Sequence, residues 1–323
     1  MSDSEDWSFP ADMRPEQAHL DFELAARLDA LVLLRAEVPE DAFTAQTLGT
    51  ERGGNGVVIE EGLVLTIGYL ITEAQTVWLT TQRGAAVQGF ALAYDQATGF
   101  GLVRALGRLD ATPMPRGRAA DVGIGDRVFM LSHGGSRHAL KTRLRDRRMF
   151  AGYWEYLLEQ AMFTSPAHPE WSGAALVSER GELIGIGSLL VQEMVDGRTE
   201  QGNMIVPIDL LEPILQSLLT TGTSGLPPRP WLGLYAGESD GNLVVGGVAD
   251  NGPADRAGVQ QGDLVLEVAG RRVGTLAEML RAVWAQGAAG VTIPVMVGRE
   301  GDLLRLQIES VDRSVLLSRP SMH

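Results

Sequence analysis

The sequence predicts a mainly β protein built as two units, and three observations carry that prediction. Residues 31–207 alternate short apolar runs with Gly-containing turns. The stretch TSGLPPRP at 223–230 has the Ser, Gly and Pro content of a linker. Beyond it, residues 231–310 carry a second set of short apolar runs. A length of 323 residues agrees with two domains at about 150 residues each.

The amino-terminal residues 1–22 are acidic and show no apolar period, so they are expected to be flexible. Within them Trp7 and Phe9 are candidates for an oligomer contact. Between 23 and 222, runs such as NGVVIEEGLVLTIGYLI, TVWLTT, AVQGFALAY, DRVFML and NMIVPI read as strands. Strands of about 4–8 residues with turns every 8–12 point to a barrel or sandwich. A helix is expected at DLLEPILQSLLTTG, with Asp209 as its N-cap and Gly222 at its carboxyl end. In the second unit, 231–312, strands are expected at WLGLYA, NLVVGGV, DLVLEVAG, TIPVMVG and LLRLQIE, with helices at ADRAGV and TLAEMLRAVWAQG. Residues 313–323 form a tail.

Composition excludes several classes of function. With 27 basic against 41 acidic residues, the formal charge is −14, the wrong sign for a nucleic-acid or anionic-membrane surface. Cysteine is absent, which removes disulfides, thiol nucleophiles and thiolate metal sites. Five histidines without metal-ligand spacing argue against a zinc enzyme, and no metal or cofactor is expected. The amino terminus has neither a basic start nor an apolar core, so the sequence as written reads as cytoplasmic, and periplasmic only if the start were truncated. No run is long and apolar enough to span a bilayer. The basic run RHALKTRLRDRR at 137–148 reads as a solvated strand face. Tyr153, Trp154 and Tyr156 are expected to pack under loops of the first unit.

The second unit resembles a PDZ domain of the bacterial HtrA/Deg proteases. WLGL, which is Trp231, Leu232, Gly233 and Leu234, stands where that family has its carboxylate-binding loop. GPADRAGVQQGDLVLEVAG stands where it has a small-Pro-Ala, Ala-Gly and Gly-Asp series before a strand. The chemistry is intelligible on its own terms. Gly233 lets the backbone turn successive N–H groups outward as a nest for an anion, and a neighbouring strand edge can accept an extended peptide.

Upstream, the order of motifs is similar to that of the trypsin-like domain of the same family. VLTIGYLI resembles the segment ending in the catalytic His, and YDQATGFGLVRAL the segment holding the catalytic Asp. SPAHPEWSGAALVSERGELIGIGSLL resembles the stretch around the nucleophile. The resemblance covers nearly all of 30–312 and implies a trypsin-like double β-barrel followed by a carboxyl-terminal PDZ domain.

Position by position, the catalytic letters differ. Tyr69 stands at the His position, Gly99 at the Asp position, and Glu170 at the Gly whose N–H would serve the oxyanion site. Only Ser172 retains the nucleophile's identity. A serine needs an adjacent base, and a phenol with a pKa near 10 does not replace an imidazole near 6.5. His168 replaces the family's Asn, and Glu170 is expected to bring a carboxylate toward the oxyanion site. His168 and His133 read as surface histidines, and no segment bearing His133, His138 or His168 is the one that faces the serine in this fold. The expectation is a protease homologue without proteolytic activity that binds peptide carboxyl termini or partner proteins. An active serine endopeptidase acting on unfolded proteins and a regulatory subunit of an active homologue are the alternatives. Assembly as a trimer, or with an active relative, is what the resemblance implies about oligomeric state.

Overall fold

The computed structural model describes residues 7–195 and 198–318. Residues 1–6 of the segment expected to be flexible, and the tail beyond 318, lie outside the described residues. The chain divides into two compact units.

The first unit contains two closed six-stranded barrels. The first barrel comprises β1 (Leu31–Glu37), β2 (Glu51–Glu60), β3 (Leu63–Ile67), β4 (Thr76–Thr81), β5 (Ala86–Tyr94) and β6 (Phe100–Ala105). The order around it is β1-β2-β3-β6-β5-β4. Leu31, Leu34, Leu63, Leu65, Leu79 and Phe100 fill its interior and are fully buried. The antiparallel pairing of β3 with β6 sets Ile67 opposite Phe100, so residues 68–69 and 99 leave the barrel side by side.

The second barrel comprises β7 (Arg127–Leu131), β8 (Leu140–Gly152), β9 (Tyr156–Ser165), β10 (Ala175–Val177), β11 (Leu183–Val195) and β12 (Arg198–Pro207). Its order is β10-β11-β12-β9-β8-β7. The β11–β12 register shifts between Gly187 and Leu189, a bulge that leaves the Ser188 carbonyl outside the ladder. The basic residues of 137–148 follow the solvated-face expectation in part: Arg143 and Arg147 donate to the carbonyls of Gly125 and Ala119, and Arg148 pairs with Asp146.

A helix spans Glu212–Thr221 and ends, as expected, on Gly222 in the left-handed region at φ +74°. Asp209 is not its N-cap, which is a correction to the sequence reading. Leu211 holds that position, and the Asp209 carboxylate instead accepts from the Ala119 and Ala120 amides at 2.8 and 2.9 Å. A short 3-10 turn at Ile208–Leu210 separates Asp209 from the helix start, which local pattern does not reveal.

Both ends of the described chain are fastened to the first unit. From Trp7 onward the segment expected to be flexible makes specific bonds: the Phe9 amide donates to the Arg137 carbonyl, and His138 Nε2 lies 3.0 Å from the Trp7 carbonyl. At the other end, the Ser318 amide donates to Glu73 Oε1 at 2.9 Å, on a carboxylate that also accepts from the Thr44 amide and hydroxyl.

The second unit joins residues 226–317 to an outlying piece, residues 149–159, where the chain of β8 turns into β9. Its strands are β13 (Leu234–Ser239), β14 (Asn242–Val248), β15 (Leu264–Val268), β16 (Arg271–Arg272), β17 (Thr292–Arg299) and β18 (Asp302–Glu309). The sheet runs β13-β14-β15-β17-β18, with β16 on β15, so β13 is an edge strand among the described residues. A helix at Leu276–Trp284 starts from a capping box in which Thr275 and Glu278 satisfy each other's amides, and its apolar face enters the core with Leu232, Leu243, Val265 and Ile293. The Gly-Asp motif has a clear physical basis. Gly262 turns at φ +93°, and the buried Asp263 receives a two-pronged bond from Arg299 at 2.7 Å. That pair holds the Asp263 carboxyl below its usual range.

The aromatic group at 153–156 belongs to this unit and not under loops of the first, a further correction. β8 is 13 residues long and carries its turn away with it. Trp154 stacks on Tyr156 at 5.8 Å, and Tyr153 meets Tyr235 edge-on at 6.4 Å.

Candidate functional site

Tyr69 and Ser172, which are 103 residues apart in sequence, meet between the two barrels with oxygen atoms 2.7 Å apart. Tyr69 sits in the 3-10 turn Gly68–Leu70 directly after β3. Ser172 sits in the loop before β10, where Gly173 at φ +73° reverses the chain. A side chain on Gly173 would collide with the Asn55 carbonyl, so glycine is required there both by conformation and by close approach.

The direction of the protons decides what this pair can do. Tyr69 Oη lies 2.8 Å from the Ser188 carbonyl, which can only accept, so the phenolic proton goes there. Ser172 must therefore donate to Tyr69. For the phenol to accept that proton fully it would first have to ionise. Burial pushes its pKa up to about 12, with the bond from Ser172 opposing only in part. An oxygen of that basicity, already carrying its proton, is not a general base at neutral pH.

Gly99 lies beside the turn that carries Tyr69, and it offers only backbone. Its carbonyl accepts from the Gly68 amide at 2.7 Å, and its own amide donates to the Asp95 carbonyl at 2.8 Å. It adopts φ +82°, a conformation that favours glycine. The Tyr94 ring covers Gly68 so closely that a Cβ there would overlap it.

At Glu170 the carboxylate and the backbone amide take different partners. Its carboxylate is turned aside, accepting from Ser132 Oγ at 2.8 Å and lying 3.1 Å from His138 Nδ1. The backbone is what alters the site: the Glu170 amide donates to His168 Nδ1 at 3.0 Å. That N–H is thereby bound to an imidazole.

His168 is not a surface residue, which corrects the sequence reading. It is fully buried. Its Nε2 lies 2.6 Å from the His138 carbonyl, which accepts, so the ring is the neutral Nε2–H tautomer with Nδ1 free to receive Glu170. Burial drives its pKa down to about 4. Trp7 lies against His138 with ring centres 4.0 Å apart and the planes tilted by 34°, and Phe9 meets His168 at 5.1 Å. The two aromatics proposed as oligomer contacts thus engage His138 and His168 of their own chain. His133 is half-buried and reaches neither Ser172 nor Tyr69, its amide donating to Asn55 Oδ1 at 2.7 Å.

Asn55 was not singled out from sequence, yet it organises the loop. Its Nδ2 donates to the carbonyls of Glu170 and Ser172 at 3.0 and 3.2 Å, and its amide donates to the Ser172 carbonyl. An Asn in the buried half of a strand was the available signal.

In the second unit, Trp231, Leu232 and Leu234 are buried, and Gly233 turns at φ +68° over the Trp231 ring. The amides of Leu232, Gly233 and Leu234 converge on one carboxylate, that of Glu155, with Oε1 at 3.1, 2.7 and 3.2 Å. Glu155 was not anticipated. No cluster of side chains suited to a metal is found among the described residues, and no helix among them is long and apolar enough to cross a membrane.

Residues 54–186 match the trypsin-like peptidase domain family, and residues 230–309 match the PDZ domain family. The serine endoprotease DegS of Salmonella typhimurium is 27% identical over 274 residues, covering 79% of this chain and 75% of that protein. DegS of Escherichia coli K12 is 28% identical over 273 residues, with the same coverage. Among solved structures, the HtrA-type protease AlgW with tripeptide aligns over 95% of this chain and 99% of its own at TM-score 0.53 and 20% identity, a likeness of fold.

Proposed function

Because the chain belongs to the HtrA/Deg-like serine protease family, with a trypsin-like domain followed by a PDZ domain, we propose that it is a proteolytically inactive member that binds the free carboxyl termini of peptides or partner proteins. One observation carries the inactivity: Ser172 is paired with a phenol whose proton is committed to the Ser188 carbonyl. The bond from the Glu170 amide to His168 supports the same reading, since it removes a donor worth about 10²–10³ in rate in an oxyanion site. The three converging amides of Leu232, Gly233 and Leu234 support the binding half, because they already hold a carboxylate.

Two measurements test this. The purified protein should resist labelling by a fluorophosphonate and leave casein intact. Labelling or turnover that Ser172→Ala abolishes would overturn the inactive reading. Decapeptides with apolar last residues should bind at micromolar affinity, about −8 kcal/mol, once the nest is accessible. Their carboxyl-terminal amides should bind at least tenfold more weakly.

A further inference from the structure

A nest of three amides is a receptor for one anion, and in this chain it is already filled from within. Glu155 stands at the tip of the β8–β9 hairpin in the left-handed region at φ +60°, a backbone conformation uncommon for a residue with a side chain. That turn presents its carboxylate inward. The side chain is buried, with Oε1 receiving all three amides and Oε2 lying 3.2 Å from the Leu232 amide. The geometry is that of a bound terminal carboxylate, supplied by a side chain.

The rest of the hairpin touches both the edge strand β13 and the helix Leu276–Trp284. Tyr153 meets Tyr235 of β13. Glu159 accepts from Arg281 of the helix at 2.6 Å, and Met149 Sδ lies 3.0 Å from the same guanidinium. Leu157, two residues past the carboxylate, enters the core shared by Leu232 and Leu234. An apolar side chain two positions from a captured carboxylate, with flanking contacts to strand and helix, reproduces what an extended peptide offers such a cleft.

We infer that the hairpin 149–159 is a built-in occupant of the peptide cleft, with Glu155 standing in for a terminal carboxylate that an incoming peptide must displace. This rests on the peptide-terminus reading of the second unit given above. Displacement is an exchange of one anion for another, so the nest loses no hydrogen bonds and the hairpin's apolar contacts set the barrier to exchange.

The local charges give the exchange a direction with pH. Burial raises the Glu155 pKa to about 7, against the pull of its three amide donors and of Arg313. Tyr235 and Tyr153 also face this region, together with Asp250 beyond β14. A peptide α-carboxyl titrates near 3.5 and stays ionised where Glu155 does not. The docked Glu155 takes up a proton that the released side chain would not hold, so acidification from pH 8 to pH 6 favours the docked hairpin over the competitor.

The test uses the full chain and an array of decapeptides ending in Val, Leu, Ile, Phe or Ala, in acid and amide forms. Wild type is compared with Glu155→Ala and with Glu155→Gly, the second because glycine keeps the left-handed turn without strain. Hydrogen exchange of the Leu232, Gly233 and Leu234 amides is followed in parallel. The expected result is a gain of tenfold or more for acid peptides in both variants, with amide forms unimproved and nest amides exchanging at least tenfold faster. In wild type, acid peptides should bind more tightly at pH 8 than at pH 6. Equal affinity and equal protection in wild type and both variants would overturn the occupant while leaving the peptide-terminus reading intact. Faster nest exchange in the variants with acid and amide forms bound alike, or neither bound, would overturn the peptide-terminus reading and the competition with it.

Discussion

Tyr69 Oη lies 2.7 Å from Ser172 Oγ, and the tyrosine is the acceptor of that bond. Tyr69 receives that bond while its own proton is directed to the Ser188 carbonyl. The contact therefore joins the two barrels structurally, and its loss should be read as stability.

Tyr69→Phe should lower the stability of the first unit by about 1–2 kcal/mol, because the Ser188 carbonyl and the Ser172 hydroxyl both lose a partner in a partly buried place. Urea unfolding followed by tryptophan fluorescence measures it. Casein hydrolysis should stay at background in the variant, as in wild type.

Restoring the triad letters should not restore a protease. Tyr69→His with Gly99→Asp returns a base and a carboxylate, but residue 99 holds φ +82°, which strains any side chain by about 1 kcal/mol. Adding Glu170→Gly leaves the amide of residue 170 facing His168 Nδ1. Measurable casein cleavage is expected only when His168→Asn joins the other three changes. Cleavage by the double variant at the rate of the quadruple one would show that the imidazole does not hold that amide.

His168 should make the first unit sensitive to acid. Its folded pKa of about 4 lies below the ordinary value of 6.5, so the unfolded chain binds its proton first. Stability is then fully present above about pH 6.5 and is lost as pH falls toward 4, by up to about 3 kcal/mol. Glu170 and His138 are the neighbouring titratable groups. Urea midpoints at pH 7.5 and pH 5 should converge in His168→Asn relative to wild type. Glu155 works in the opposite sense: with a folded pKa of about 7, its contribution is present below about pH 4.5 and lost as pH rises through 7. Hydrogen exchange resolved by unit should show the two trends crossing.

Asn55→Ala should cost about 2–3 kcal/mol, since it unpairs the His133 amide and the Glu170 carbonyl at once. The same variant should loosen the 168–174 loop, visible as faster amide exchange there. Unchanged exchange would mean that Gly173 and the β10 pairing alone fix the turn.

Much of this was legible in the residues. The strand runs, the linker and the Gly262-Asp263 step announced two β units, because hydrophobic period and turn chemistry are local. The resemblance singled out Tyr69 and Ser172, and the structure brings their hydroxyls together. Glu155 was not legible, because its role depends on a left-handed hairpin tip and on amides 77–79 residues away. Asp209 misled for the related reason that its partners are 89–90 residues distant. Glu170 was read by its charge, whereas its amide carries the consequence.

The bonds from Trp7 to His138 and from Glu73 to Ser318 have a consequence for the order of events during synthesis. The first spans 131 positions and the second 245. A chain leaving the ribosome makes Trp7 early, but the ring it lies against emerges only after the first barrel is complete. The Glu73 carboxylate waits longer still, until the whole second unit has been made. The first unit thus begins before the second and is finished after it, so a nascent chain halted in the linker would hold both barrels with each of their terminal fastenings in a different state: the early one closed and the late one open.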